Sequence, residues 1–327
     1  MDKYISMSYG SGGKKTSELI NSILLPALSN TELDKLNDGA YIDLKCERLV
    51  FSTDSFVIKP LFFPGGDIGK LCVCGTVNDI SVCGGTPKYL SLSLIIEEGF
   101  PTDSLVRIVS SIKQTADACK VEVVTGDTKV VEKGRCDGIY INTSGIGTVD
   151  KNIMLGNLRI KGDDKVIVSG SIGDHGLAIM AAREKLFDSD VLKSDCAPIS
   201  SLTKTAIEFK DGIKIMRDPT RGGLATTLKE FIEGTSYDIK IYKDFIPVKD
   251  EVRTASDMLG IDPLYAANEG KVVIIADSAI ADDLLNKLRK FDIGKDAAII
   301  GDVLEGGAGR LLLDTGFGSV RIIDKLT

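Results

Sequence analysis

Apolar positions recur along the chain with two different periods, and the switches between them predict the elements. Leu19, Ile20, Ile23 and Leu24 follow Thr16 and Ser17 at helical spacing, which predicts an N-terminal amphipathic helix. Leu49-Val50-Phe51-Ser52 reads as a short strand leading into Asp54. From Gly69 to Cys83 the spacing is helical again, through Leu71, Cys74, Val77 and Ile80. Tyr89 to Ile96 is rich in β-formers and predicts a strand, while Leu105, Ile108, Val109, Ile112 and Ala116 make the apolar face of a helix. Val121 to Thr125 and Gly138 to Val149 return to strand. The periodicity weakens over Asp150–Gly162 before Lys165-Val166-Ile167-Val168 opens a new strand. Beyond it, helices are expected near 175–186, 222–233, 249–259 and 279–291. This alternation predicts an α/β (α+β) fold. Two domains are expected, 1–155 and 156–327.

Length agrees with that division, since 327 residues exceed the roughly 100–200 of one domain. The chain is 43% hydrophobic and 27% charged, enough for packed cores and too ordered in composition for long disordered tracts. A net charge of −7 with no basic cluster argues against a nucleic-acid groove. No apolar run reaches the ~18 residues of a membrane span, and MDKYISMSYGSGG lacks the apolar core of a signal peptide. A cytoplasmic protein is expected, acting on neither membrane nor nucleic acid. The seven cysteines are odd in number and scattered, which points to buried, reduced thiols rather than a disulfide framework. Cys72 and Cys74 are spaced more tightly than structural zinc ligands, and His175 is the only histidine.

The residues that could carry chemistry are acidic groups in small-residue surroundings. Asp54 lies in Ser-Thr-Asp-Ser, Asp79 in Val-Asn-Asp after Asn78, Asp127 in Thr-Gly-Asp-Thr-Lys, and Asp218 in Arg-Asp-Pro-Thr-Arg-Gly-Gly. Mg²⁺ takes hard oxygen ligands beside nucleotide phosphates, and Asp at a strand end can supply one. Asp beside Gly, Ser or Thr also serves as ordinary turn and cap chemistry. Glycine-rich segments at 10–14, 64–70 and 221–223 each precede a predicted helix, where N–H groups favour phosphate. None is a P-loop. Gly66, Lys70 and Arg221 are candidate phosphate contacts from these segments, and Thr128 is one from the Asp127 segment. Lys129 after a strand and Glu269 in Ala-Asn-Glu-Gly-Lys sit where side chains often enter clefts. His175, in Gly-Asp-His-Gly at a helix start, serves either structure or catalysis.

In order along the chain, these segments resemble the HypE family of hydrogenase expression/formation proteins. The likeness is carried by Gly10-Ser11-Gly12-Gly13, Phe51-Ser52-Thr53-Asp54-Ser55, Lys59-Pro60-Leu61-Phe62-Phe63-Pro64-Gly65-Gly66 and Cys74-Gly75-Thr76-Val77-Asn78-Asp79. It continues through Val124-Thr125-Gly126-Asp127-Thr128-Lys129-Val130-Val131, Gly173-Asp174-His175-Gly176 and Ser194-Asp195-Cys196. Arg217-Asp218-Pro219-Thr220-Arg221-Gly222-Gly223 and Ala267-Asn268-Glu269-Gly270-Lys271 complete it. The Asp turns alone recur across the wider aminoimidazole ribonucleotide synthetase and selenophosphate synthetase superfamily.

The resemblance implies a two-domain aminoimidazole ribonucleotide synthetase-like fold whose N-terminal domain forms a shared barrel in a homodimer, with ATP and Mg²⁺ as cofactors. It implies ATP-dependent dehydration of a carbamoyl group on a C-terminal cysteine to thiocyanate, the source of cyanide for a NiFe hydrogenase. The implied partners are a carbamoyltransferase and an iron-carrying hydrogenase assembly scaffold. Asp54, Asp79, Asp127 and Asp218 would serve Mg²⁺–ATP, Glu269 would be the base, and Lys129 would assist phosphate or deprotonation. Family members end in Pro-Arg-Ile-Cys, whereas no cysteine follows Cys196 in this sequence, and Tyr9 stands where the family usually has His. The expectation is therefore ATP binding without self-modification. The rival readings are a tailless paralogue phosphorylating another amide and a non-catalytic scaffold.

Overall fold

The computed structural model describes residues 1–11, 13–37, 39–46, 48–186, 191–316 and 318–325. Gly12 of the first glycine-rich segment and the last two residues of the chain lie outside the described residues. Contacts divide the chain into two units. The first comprises Met1–Phe62, Gly66–Ile80 and Gly85–Val149; the second comprises Phe63–Gly65, Ser81–Gly84 and the chain from Asp150 onward.

The first unit opens with α1 (Lys14–Leu19) and α2 (Leu25–Leu28), joined by a π turn. There follow β1 (Leu49–Phe56), β2 (Phe62–Phe63), β3 (Gly66–Asp67), α3 (Ile68–Val82), β4 (Thr86–Glu97), α4 (Thr102–Cys119), β5 (Glu122–Val131) and β6 (Ile139–Thr148). The main sheet runs β1-β6-β4-β5, antiparallel except for the parallel β4–β5 pair. A parallel pair needs a long crossover, which α4 provides. β5 runs six residues past Thr125, where the predicted strand stopped, because β4 offers it a parallel partner as far as Val131. The small polar run Thr-Gly-Asp-Thr carries no alternation to announce this.

The helix α3 lies directly on the sheet because β6 offers it two glycines. Thr143, Gly145 and Gly147 alternate onto one face of β6. A Cβ at Gly145 would stand 2.8 Å from both Ile80 Cδ1 and Thr76 Cγ2. Thr143 Oγ1 instead bonds Thr76 Oγ1 at 2.6 Å and donates to the Cys72 carbonyl at 2.9 Å. On the other side Gly69 meets the Ile108 carbonyl of α4, where a Cβ would overlap it. Covered on all sides, α3 is buried at nearly every position, as its evenly apolar sequence requires. The sheet's opposite face leaves Phe51 69% exposed, beside exposed Leu49, with exposed Ile95 on the same face toward the other end of β4.

The second unit contains β7 (Lys165–Val168), α5 (Asp174–Glu184), α6 (Ser200–Ile207), β8 (Ile213–Arg217), α7 (Gly223–Ile232) and β9 (Asp238–Tyr242). After these come α8 (Asp250–Leu259), β10 (Val273–Ala276), α9 (Ser278–Leu288), β11 (Ala298–Leu304), β12 (Leu311–Asp314) and β13 (Val320–Ile323). Its sheet runs β13-β12-β9-β11-β7-β10-β8. Successive side chains of β7 and β10 enter two cores. Val166, Val168, Val273 and Ile275 meet Leu224, Leu228 and Phe231 of α7, whereas Ile167 and Ile274 meet Leu202 of α6 and Leu284 and Leu288 of α9. Burial on both faces explains why Val166-Ile167-Val168 and Val272-Val273-Ile274-Ile275 read as continuous apolar runs. The helix α6 had no clear sequence signal, since only Leu202, Thr203 and Ala206 of it are buried.

Phe231 is the largest apolar side chain fully enclosed in the α7 core, at 1% exposure. Phe231→Ala should destabilise the second unit by about 3–5 kcal/mol. Denaturant unfolding followed by circular dichroism should show a lower midpoint at unchanged slope.

Candidate active site

In the first unit, the alternation of β1 turns Ser52, Asp54 and Phe56 toward α3. Ser52 Oγ donates to Asp79 Oδ2 at 2.7 Å, and a Cβ at Gly75 would lie 3.6 Å from Asp54 Oδ2. Gly75 and Asp79 are one helical turn apart on the same face of α3. Asp54 and Asp79 therefore line one side of this helix, each partly exposed, with Asn78 buried beside them. Asp54 lies within β1 rather than at its end, and Asp79 lies within α3, the helix that the spacing from Gly69 to Cys83 predicts. Small residues are used here to let elements approach closely, which looks the same in sequence as a turn.

Asp127, Thr128 and Lys129 lie inside β5 rather than after a strand. Asp127 and Lys129 are exposed, two residues apart on one face. Asp127 and Thr128 edge a cavity of about 170 Å³ walled by Ile20, Leu24 and Leu28 from the N-terminal helices and Leu92 and Leu94 from β4. Gly10 packs against β5, where a Cβ would overlap the Val130 backbone next to Lys129. β1 and β5 are opposite edges of the sheet, three strand spacings or ~14 Å apart. One ion cannot reach Asp54, Asp79 and Asp127 across that distance. Among the described residues, no group of three or more His, Cys, Asp or Glu side chains is placed to hold a metal. Asp54 and Asp79 thus lie together, Asp127 lies at the far edge of the sheet, and Asp218 belongs to the second unit.

The glycine-rich segment at 64–70 also differs from expectation. Asp67 Oδ1 accepts the N–H groups of Gly69 and Lys70 at 2.8 and 3.0 Å. The N-terminus of α3 is therefore capped by its own carboxylate and does not present those donors to phosphate; Gly66 and Lys70 remain half-buried at its rim. Arg221 is exposed just ahead of α7, whose start uses Gly222 and Gly223 at φ 76° and 61°. A Cβ on Gly223 would stand 2.6 Å from the carbonyls of Ala266 and Leu264, so only glycine allows this approach.

In the second unit, four motifs that are far apart in sequence meet around Asn268. This residue is fully buried. Its Oδ1 accepts Gly173 N–H at 2.7 Å, and its Nδ2 donates to the carbonyls of Pro219 and Ala266, both at 3.1 Å. Gly176 N–H donates to the Ala267 carbonyl at 2.9 Å. The loops of His175, Asp218 and Glu269 are thereby joined. Ser194-Asp195-Cys196 completes the group: Asp195 Oδ1 accepts Glu269 N–H at 3.1 Å, and its Oδ2 accepts Gly270 N–H at 3.2 Å and pairs with Lys271 Nζ at 3.1 Å. Ala197 N–H donates back to the Glu269 carbonyl at 3.1 Å. Glu269 is half-buried and Asp218 is 6% exposed.

His175 is 6% exposed, edge-on to Phe63 at 5.6 Å, with Nδ1 2.8 Å from Ser194 Oγ. Ser194 Oγ already accepts Cys196 N–H at 3.0 Å, which leaves its proton for Nδ1. Burial lowers the imidazole to about 4, so it stays neutral at neutral pH. Enclosed in this way, His175 is a hydrogen-bonding anchor for the Ser194 loop, the structural one of the two roles its motif allows. Asp195, Asn268 and Lys271 were visible only as letters in motifs; their roles come from burial, which sequence does not display. Of the cysteines, Cys72, Cys74 and Cys196 are buried as expected, but Cys46 and Cys83 are exposed. No helix among the described residues is long and apolar enough to cross a membrane.

Comparison with known proteins sets the class first. Residues 36–149 match the N-terminal domain, and residues 161–314 the C-terminal domain, of the AIR synthase related proteins. Within that class the chain is 42% identical to carbamoyl dehydratase HypE of Cupriavidus necator, over 99% of this chain and 92% of the relative. It is 44% identical to carbamoyl dehydratase HypE of Escherichia coli, over 94% of this chain and 93% of the relative. A crystal structure of hydrogenase maturation protein HypE in complex with ATP superposes with a TM-score of 0.94 at 41% identity, covering 98% of each chain. A structure of a HypE–HypF complex matches with a TM-score of 0.82 at 44% identity, covering 94% of this chain and 99% of the other. The chain belongs to the HypE family of hydrogenase maturation proteins. Thiamine-monophosphate kinase of Stenotrophomonas maltophilia, 17% identical with a TM-score of 0.68 over 90% of this chain and 95% of that one, shares the fold.

The buried histidine makes stability depend on pH. Its folded value of about 4 lies below the usual 6.5, so between those values the unfolded chain binds more protons than the folded one. The stabilisation is complete above about pH 6.5 and is lost as pH falls toward 4, about 3 kcal/mol in all. Denaturant melts at pH 7 and pH 5 should show this loss, and His175→Gln should remove that part of it.

Proposed function

We propose that this protein is an ATP-dependent carbamoyl dehydratase that converts an S-carbamoyl cysteine to a thiocyanate for hydrogenase maturation. The observation that carries the reading is full-length similarity to relatives named for this activity, at 42–44% identity. A HypF-type partner would supply the carbamoyl group, an iron-carrying scaffold would receive the cyanide, and the work would be done in the cytoplasm.

The chemistry follows from the amide. Its oxygen is a poor leaving group until it is phosphorylated. Attack of that oxygen on the γ-phosphorus of ATP releases ADP and leaves an O-phosphorylated imidate that still carries both nitrogen protons. Loss of phosphate then forms the nitrile as both nitrogen protons depart, one with phosphate and one to a base. Glu269 is that base: its carboxyl is half-buried, and its main chain is held on both sides. Lys129 and Arg221, both exposed cations, balance charge on the transferring phosphoryl group. Asp54 and Asp79, paired along α3, fit a hard cation that keeps waters and takes its remaining oxygens from phosphate. Mg²⁺ held there would neutralise phosphate charge. Asp127 stands apart from this pair and would meet another part of the nucleotide, and Asp218 would serve it from the second unit. The apolar cavity beside Asp127 and Thr128 suits a nucleobase.

The test uses the chain extended after residue 327 by a short linker ending Pro-Arg-Ile-Cys. Given the carbamoyl-transferring partner, carbamoyl phosphate and ATP, mass spectrometry should detect loss of water from the carbamoylated terminal cysteine. Tethering raises the effective substrate concentration to the order of millimolar. Glu269→Gln should block dehydration and spare carbamoylation. Asp79→Ala should weaken Mg²⁺–ATP binding in calorimetry on the order of tenfold or more. A carbamoylated protein that binds ATP yet never dehydrates would transfer the reading to a paralogue acting on another amide.

Assembly is part of the proposal. The uncovered sheet face carrying Phe51, Leu49 and Ile95 fits closure against a second copy, as in the barrel-forming homodimers of the family, because closure also removes free strand edges. Light scattering should report a dimer at micromolar concentration, and Phe51→Glu should shift it toward monomer.

A further inference from the structure

The geometry points to Asp195 as the positioning residue for Glu269, an assignment that rests on reading Glu269 as the base. Glu269 lies in a loop between the Asn268 node and β10, with no helix or strand of its own to orient it. Its main chain is instead held by the segment Asp195–Ala197. The Glu269 N–H donates to Asp195 Oδ1 at 3.1 Å, and its carbonyl accepts Ala197 N–H at 3.1 Å. The following N–H, of Gly270, goes to Asp195 Oδ2 at 3.2 Å. Successive N–H groups form a concavity for an anion, and the anion here is the chain's own carboxylate. Lys271 Nζ closes the charge balance at 3.1 Å, with the Asp195 and Lys271 side chains 2% and 9% exposed.

This arrangement is specific to orientation in two respects. Each oxygen of Asp195 takes a different N–H of the base-bearing turn, so the turn can neither slide nor rotate without leaving a buried acceptor unmet. The approach also requires a missing side chain, since a Cβ on Gly270 would overlap the Asp195 carbonyl. Gly270 has no positive φ to explain its presence. The close contact with Asp195 accounts for it.

The experiment compares Asp195→Asn, Gly270→Ala and Glu269→Gln in the extended chain loaded with the carbamoyl group. Single-turnover dehydration at saturating ATP is read by mass spectrometry, ATP affinity by calorimetry, and carbamoylation separately. Asparagine presents an NH₂ group to donors, and alanine at 270 pushes the turn away without altering any charge. Both should slow dehydration on the order of 100-fold, the effect of a displacement of about 1 Å at the reacting centre. ATP affinity and carbamoylation should stay within about twofold of the parent. Should Asp195→Asn not fold, Asp195→Asn combined with Lys271→Met removes both buried charges and is read in its place. Dehydration within about twofold of the parent in Gly270→Ala and the Asp195 variant, with Glu269→Gln inactive, overturns the assignment and leaves the base reading intact. Parallel loss of rate, ATP affinity and thermal stability would also overturn it, making Asp195 a structural tie alone. Dehydration at the parent rate by Glu269→Gln would remove the base reading, and the assignment with it.

Discussion

A carboxamide with no access to water must find its hydrogen bonds inside the protein, and Asn268 finds them on two other loops, at Gly173 and Pro219, and on its own at Ala266. Shifting any of those loops would leave a buried donor or acceptor unmatched. That constraint sets the relative places of His175, Asp218 and Glu269 more firmly than any of the loops could do alone. Glycines make it possible: at Gly176, Gly223 and Gly270 backbone meets backbone at distances that no Cβ would permit.

The same principle operates in the first unit with different parts. There the close approach is of a helix to a sheet, through Gly145 and Gly147 on β6 and Gly75 on α3. It aligns the inward residues of β1 with one face of α3, which is why Asp54 and Asp79 are neighbours although they come from different elements. Asp127 follows the other edge of the sheet and is kept away from them. An extended polyphosphate with its ions can address carboxylates so separated, whereas a single protein-bound cation cannot.

Charge is handled by the same rule of compensation. Asp174, wholly buried, receives Ser171 Oγ–H at 2.6 Å and pairs with Lys249, and burial still raises its carboxyl above the usual range. Asp195 and Lys271 offset one another close by. These enclosed groups stiffen the scaffold. Glu269, Asp54 and Asp79 keep part of their surface exposed.

Periodicity alone revealed most of the helices and strands, because alternation and helical spacing record directly which face of each element is buried. Motif order alone identified the family, since the segments from Gly10 to Lys271 occur together in one sequence pattern. The extent of β5 was not legible, because Thr-Gly-Asp-Thr has no apolar alternation and its pairing depends on a strand some thirty residues away. Asp67 capping its own helix, the separation of Asp127 from Asp54, and the clamp of Asp195 on Glu269 were not legible either. Each depends on a distance between residues remote in sequence or on the competition of local donors for one acceptor. Sequence specifies which groups exist and which face of its own element each occupies. Only packing decides which of them become buried, and burial is what compels a polar group to find a particular partner.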